Sequence, residues 1–151
     1  MRLPDAAATA RAGAALAGIV RGGDAIALCG ELGTGKTTLV SALVDALGGG
    51  GAHSPTFALV HEYVGGRLVV WHADLYRIER AAELAELGLD ERFGDPRGIV
   101  VVEWADRFPE VMPGDHLRVE LAHDGAARTL EASGTGARGR ELAEQLVLEL
   151  R

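Results

Sequence analysis

One lysine stands in the whole chain, Lys36, and it falls inside Gly30-Glu31-Leu32-Gly33-Thr34-Gly35-Lys36-Thr37; every other member of the fifteen basic residues is arginine. The spacing is that of the phosphate-binding loop G-x-x-x-x-G-K-[ST], in which backbone amides ring a phosphate and the lysine reaches the β- and γ-oxygens from within. Arginine's planar fork is too broad to curl inside such a ring, whereas an ammonium on a flexible stem fits it. The string therefore implies a nucleoside triphosphate site with its magnesium ion. Thr37, the hydroxyl after the lysine, is one metal ligand by type, and an acid at a strand end is the usual second. Two acids compete for that place. Asp74 follows the run Leu68-Val69-Val70-Trp71-His72-Ala73, and Glu103 follows Ile99-Val100-Val101-Val102. A carboxylate beside a strand this apolar is costly to desolvate without a cation, which favours Glu103 for the metal. Asp74 is the second candidate, with orientation of the attacking water as its other reading.

Other residues carry weaker signals. Ser54-Pro55-Thr56-Phe57 offers two hydroxyls and a rigid proline, and reads equally as a γ-phosphate switch or as a strand-entry turn. Trp104, directly after Glu103, fits a core position or a contact with the site. The five histidines show no zinc spacing and the single cysteine, Cys29, gives them no partner cluster, so no structural zinc is expected.

The elements that must position these groups are legible around them. Ala25-Ile26-Ala27-Leu28-Cys29 reads as a buried strand entering the loop, with Cys29 as an apolar core residue. Leu39, Leu43, Val44 and Leu47 recur at helical spacing until Gly48–Gly51 end the pattern. Strand, glycine-rich loop and helix is the order that aims amides and a helix N-terminus at an anion. A stripe of Ala12, Ala15, Leu16, Ile19 and Val20 predicts an earlier helix. Phe57–Val64 and Arg67–Asp74 flank Gly65-Gly66 and predict an antiparallel hairpin. Ala81–Leu87 predicts a short helix stopped by Gly88, and Gly98–Val102 a buried strand. Leu117–Leu121 and Arg128–Glu131 predict a second hairpin, and Leu142, Leu146, Val147 and Leu150 a C-terminal helix. Gly134–Gly139 reads as the only linker-like stretch. The expected fold is an α/β, P-loop NTPase-like single domain over residues 1–151, a mixed central β-sheet flanked by helices.

Composition narrows the class. With 151 residues, 48% hydrophobic and 25% charged, the chain has material for one core. The net charge of −7 argues against a broad basic surface for DNA or RNA. Arg77, Arg80, Arg92 and Arg97 are read as scattered, solvated side chains rather than a patch. No apolar stretch approaches a membrane span, and the N-terminus does not resemble a signal peptide. A lone cysteine fits a reducing cytoplasm.

Together, Gly30-Glu31-Leu32-Gly33-Thr34-Gly35-Lys36-Thr37-Thr38, Ser54-Pro55-Thr56-Phe57, His72-Ala73-Asp74-Leu75-Tyr76-Arg77, Glu83-Leu84 with Glu86-Leu87-Gly88-Leu89, and Glu103-Trp104 resemble the TsaE (YjeE) family over about Leu3 to Glu131. That family comprises small bacterial ATPases of tRNA threonylcarbamoyladenosine biosynthesis. The resemblance implies that Gly30, Glu31, Leu32, Gly33, Thr34, Gly35, Lys36, Thr37 and Thr38 cradle ATP, with Mg²⁺ on Thr37 and Glu103. It implies that Lys36, Asp74 and Glu103 serve catalysis, that Ser54–Phe57 is switch-like, and that Trp104 is a functional neighbour. It places Pro4, Ala126 and Arg128 near the nucleotide. It also implies TsaD-like and TsaB-like protein partners, with tRNA met only indirectly. Ala73 departs from the bulkier residue that many relatives carry.

Two other functions fit a P-loop. A small-molecule kinase needs an acceptor pocket and an arginine-bearing lid, for which the segment Arg77–Arg97 supplies arginines. A GTP-dependent switch needs an Asn-Lys-x-Asp element, and the chain has no asparagine and no second lysine.

Overall fold

The computed structural model describes residues 1–52 and 60–151, so Ser54-Pro55-Thr56-Phe57 lies outside the described residues. The chain runs β1 (Arg2–Leu3), α1 (Ala6–Ile19), β2 (Ala25–Cys29), α2 (Lys36–Ala46), β3 (Gly50–Ala52), β4 (Val60–Val64), β5 (Val69–Asp74), β6 (Gly98–Glu103), β7 (His116–Asp124), β8 (Ala127–Thr135) and α3 (Gly136–Glu149). Eight strands form one sheet in the order β1-β8-β7-β2-β6-β5-β4-β3. The middle four, β7, β2, β6 and β5, are parallel, and the outer strands join them antiparallel through the two predicted hairpins. The first hairpin is described from Val60 onward, its predicted start at Phe57 lying outside the described residues.

Alternation along the central strands divides the core in two. Ile26, Leu28, Ile99 and Val101 face α1, α2 and α3, where Leu16, Leu43, Leu142 and Leu146 cover them. Ala27, Cys29, Val100 and Val102 point the other way, against Leu75, Ile78, Leu89 and Ala105. Burial on both faces is why β6 reads as an unbroken apolar run rather than an alternating one. The second face carries short 3₁₀ segments in place of α-helices, among them Ala81–Leu87, the segment predicted to be a short helix. That segment buries no residue fully, so it lacks the apolar face that would sustain a longer helix. Cys29 is buried as expected, and burial pushes its thiol up. Arg92 and Arg97 do converge, their guanidinium carbons 5.3 and 6.0 Å from the Trp71 ring centroid.

The stretch Gly134–Gly139 is not a linker. Gly134 and Thr135 end β8, and α3 starts at Gly136. A Cβ on Gly139 would stand 2.1 Å from the His116 carbonyl oxygen, so this glycine lets α3 lie directly on the sheet backbone. From the same turn of α3, Arg138 grips Asp24 with Nε at 2.9 Å and Nη2 at 2.7 Å, and its Nη2 donates to the Ile19 carbonyl at 3.1 Å. Asp24 is buried at the entry to β2, so the pair ties α3 to the strand that feeds the loop. Removing one partner strands a desolvated charge, a loss of about 3–5 kcal/mol when both groups are fully buried. Arg138 keeps some solvent contact, so Arg138→Ala is expected to cost about 2–3 kcal/mol, read as a lower urea midpoint at unchanged slope. An unchanged midpoint would show that the pair contributes nothing.

Candidate functional site

The loop leaves β2 at Gly30 with φ at +144°. A Cβ there would meet the Leu121 carbonyl oxygen at 2.4 Å and Thr34 Oγ1 at 2.8 Å, so only glycine makes this turn. Gly35, at φ +104°, is the residue on which α2 starts. Its α-carbon faces Thr9 of α1, which is buried beneath it. Thr34 is buried too, and its hydroxyl donates to the Glu31 carbonyl at 2.8 Å, closing the loop on itself. Leu32 and Gly33 stand exposed at the tip.

Lys36 is the first residue of α2, and its ammonium donates to the carbonyls of Gly30 and, at 3.0 Å, of Glu31. It also lies 4.2 Å from the centroid of the Trp104 ring. Burial pushes this ammonium below the ordinary lysine range, and the charges of Glu103, Asp74 and Asp106 oppose that shift. The two competing acids therefore act on the same lysine.

Both acids arrive there by register. Asp74 and Glu103 are paired residues at the C-terminal ends of parallel strands β5 and β6, and β6 lies directly beside β2. Crevices beyond the C-terminal ends of parallel strands are where open α/β sheets take their ligands. With Lys36, Thr37, Thr38 and Trp104, the two acids line one cleft of about 330 Å³. Tyr76 also lines it, which the sequence reading did not single out. The backbone N–H of Tyr76 donates to Asp74 Oδ1 at 2.9 Å, and its ring centroid lies 5.1 Å from that of Trp104. Trp104 packs on the second core cluster and also faces the cleft. Among the described residues it is the one non-glycine with positive φ, at 59°. Such a conformation costs about 1–3 kcal/mol and is kept where the surroundings impose it; here its N–H donates to the Leu28 carbonyl at 3.1 Å.

Glu103 is buried, and its Oε2 lies 2.5 Å from Nε2 of His72. Ala73, the departure from the family pattern, is fully buried in the second core cluster.

Pro4, Ala126 and Arg128 do not line the cleft; they gather outside the loop. Leu3 of β1 pairs with Arg128 of β8, which puts Pro4 beside that strand, and Ala126 sits in the β7–β8 turn. Arg128 Nη2 donates to the Gly33 carbonyl at 3.1 Å, and His123 Nε2 lies 3.1 Å from the Leu32 carbonyl. The hairpin thus braces the tip of the loop. His123 was missed in the sequence because nothing in its neighbours marks a contact 91 residues away.

The donor set fits a magnesium ion that enters with its nucleotide. Mg²⁺ keeps several waters and takes one or two protein oxygens plus phosphates, and Thr37 and Glu103 offer that pair in one cleft. Among the described residues, no cluster of three or more His, Cys, Asp or Glu could hold a metal ion by itself.

Loop, helix N-terminus and paired strand-end acids define the P-loop class of nucleotide-binding folds. Comparison with known proteins narrows the class. The family model for "Threonylcarbamoyl adenosine biosynthesis protein TsaE" matches residues 3–130. The tRNA threonylcarbamoyladenosine biosynthesis protein TsaE of Bacillus subtilis is 36% identical over 132 residues, 86% of this chain and 82% of that protein. Its namesake in Synechocystis is 42% identical over 113 residues, 72% and 71% of the two chains. The crystal structure of Bacillus subtilis YdiB superposes with a TM-score of 0.80 at 29% identity, covering 100% of this chain and 95% of that one. The chain belongs to the TsaE family of tRNA threonylcarbamoyladenosine biosynthesis.

Proposed function

We propose that residues 1–151 form a single cytoplasmic ATPase domain that binds ATP with Mg²⁺ and hydrolyses it to ADP and phosphate. The reading rests chiefly on one observation: Asp74 and Glu103, paired across β5 and β6, share a cleft with the loop lysine. Lys36 exchanges its bonds to the Gly30 and Glu31 carbonyls for the β- and γ-phosphate oxygens, which the loop amides and the N-terminus of α2 also face. Thr37 and Glu103, which line the same cleft, would hold Mg²⁺, and the ion would neutralise charge on the phosphate oxygens. Asp74 has one carboxylate oxygen engaged by the Tyr76 N–H, leaving the other to accept a hydrogen bond from the water that attacks the γ-phosphorus. Trp104 and Tyr76 form one wall of the cleft, while Leu32 and Thr37 stay exposed on the rim.

A site open on that rim fits slow turnover alone and acceleration when a partner surface excludes water. The partners this reading requires are TsaD-like and TsaB-like proteins. They carry out threonylcarbamoyl transfer, and ATP hydrolysis here resets their complex between turnovers. The net charge of −7 suits docking to proteins and indirect contact with tRNA. No helix among the described residues is long and apolar enough to cross a membrane. Tracing the γ-phosphate with labelled ATP tests the reaction. Label recovered as inorganic phosphate supports hydrolysis, and label on a metabolite would support the small-molecule kinase instead.

A further inference from the structure

Glu103 has to meet a metal ion from a position almost closed to water, and a buried carboxylate without a partner is costly. The lysine beside it is hydrogen-bonded elsewhere, to the Gly30 and Glu31 carbonyls. What touches the Glu103 side chain is His72, Nε2 to Oε2 at 2.5 Å with both side chains buried. An ionised carboxylate, the form that binds a metal, only accepts, so opposite that form of Glu103 it is Nε2 that carries the proton of this bond. The other ring nitrogen, Nδ1, has no hydrogen-bond partner among the described residues, which agrees with a bare lone pair there. The ring is buried beside two others. His72 pairs with His61 across β4 and β5, and its centroid is 6.4 Å from the Tyr63 ring at an interplanar angle of 29°.

The strand geometry gives this contact a direction. His72 lies two residues before Asp74 on β5, and its register partner Val101 lies two residues before Glu103 on β6. Side chains two apart on a strand share a face, so His72 stands behind the two acids and approaches Glu103 from the side away from the cleft. A free carboxylate turns about its last torsion at little cost; one oxygen held from behind presents the other forward.

We infer that His72 is a positioning residue: its Nε2–H holds Glu103 Oε2 and presents Oε1 to the nucleotide-bound magnesium. The inference rests on the reading of Glu103 as a metal ligand. Outer-sphere partners of this kind are commonly worth about 10–100-fold in metal affinity.

The test titrates Mg²⁺ into protein with a non-hydrolysable ATP analogue and reads the metal concentration that half-tightens nucleotide binding. His72→Leu keeps bulk and loses the donor; it is expected to raise that midpoint about 10–100-fold with metal-free nucleotide affinity unchanged. His72→Gln, whose amide N–H reaches about where Nε2 stands, is expected to recover most of the loss. His72→Asn is polar but one bond too short, and is expected to behave like the leucine variant; it decides the matter if leucine does not fold. A wild-type midpoint in His72→Leu, or in His72→Asn, would overturn the inference. So would equal impairment of the Gln and Asn variants, which would make the role merely structural. Glu103→Gln separates the two readings. A normal midpoint in that variant removes Glu103 from the metal and overturns both, whereas a raised midpoint there with normal His72 variants overturns only the role of His72.

Discussion

Lys36→Ala is expected to weaken Mg·ATP binding by about 100-fold or more while melting within a few degrees of the wild type. The binding loss follows from hydrogen bonds between an ammonium and the β- and γ-phosphate oxygens, each worth about 1.5–3 kcal/mol. One such bond is worth about one to two decades of affinity, and two together reach about 100-fold or more. The small effect on stability comes from opposing terms. Alanine gives up the bonds to the Gly30 and Glu31 carbonyls, but it also removes a desolvated ammonium whose burial already favours its neutral form. A lysine held below its ordinary value sheds its proton earlier in the folded state than in the unfolded chain. Its charge therefore opposes folding at neutral pH, and the penalty is relieved only as the pH rises toward 10.5. Calorimetric titration beside a thermal melt reads both quantities. Wild-type affinity for Mg·ATP would remove the loop from nucleotide binding.

Asp74→Ala is expected to lower turnover by about 10²–10⁴-fold, the usual range for a group that handles the attacking nucleophile, with Mg·ATP affinity nearly unchanged. Glu103→Ala is expected to weaken the Mg²⁺ dependence of binding as well as turnover. The division follows from strand order. Glu103 ends the strand beside β2, while Asp74 ends the next one out, farther from the loop by about 4.8 Å, one strand spacing. Mg²⁺ titration with a non-hydrolysable analogue, alongside single-turnover hydrolysis, distinguishes the two acids. Loss of metal dependence in Asp74→Ala but not in Glu103→Ala would exchange their roles.

Much of the candidate site was legible because its parts lie close together in sequence or end on a strongly patterned strand. The loop from Gly30 to Thr38 is contiguous, and Asp74 and Glu103 each follow an apolar run whose end marks a strand terminus. That both strands run parallel and in register was not legible, since pairing is settled by the whole sheet. Other features left no local signal. His72 and Glu103 are 31 residues apart, and Arg128 reaches Gly33 across 95. The Gly134–Gly139 stretch misled for a physical reason: periodicity detects side chains that fill space, whereas Gly139 packs by having none. Ala81–Leu87 carried a helical composition without a buried face, and the chain winds there as 3₁₀.

Reconstitution with purified TsaD-like and TsaB-like proteins, tRNA, ATP and the threonylcarbamoyl donor joins these pieces in one measurement. Phosphate release and threonylcarbamoylated tRNA are followed together, with and without the chain. The expected result is slow hydrolysis by the chain alone, faster hydrolysis with both partners, and repeated rounds of tRNA modification only when chain and ATP are present. Full multi-turnover modification without the chain, or rapid hydrolysis that partners do not change, would contradict it.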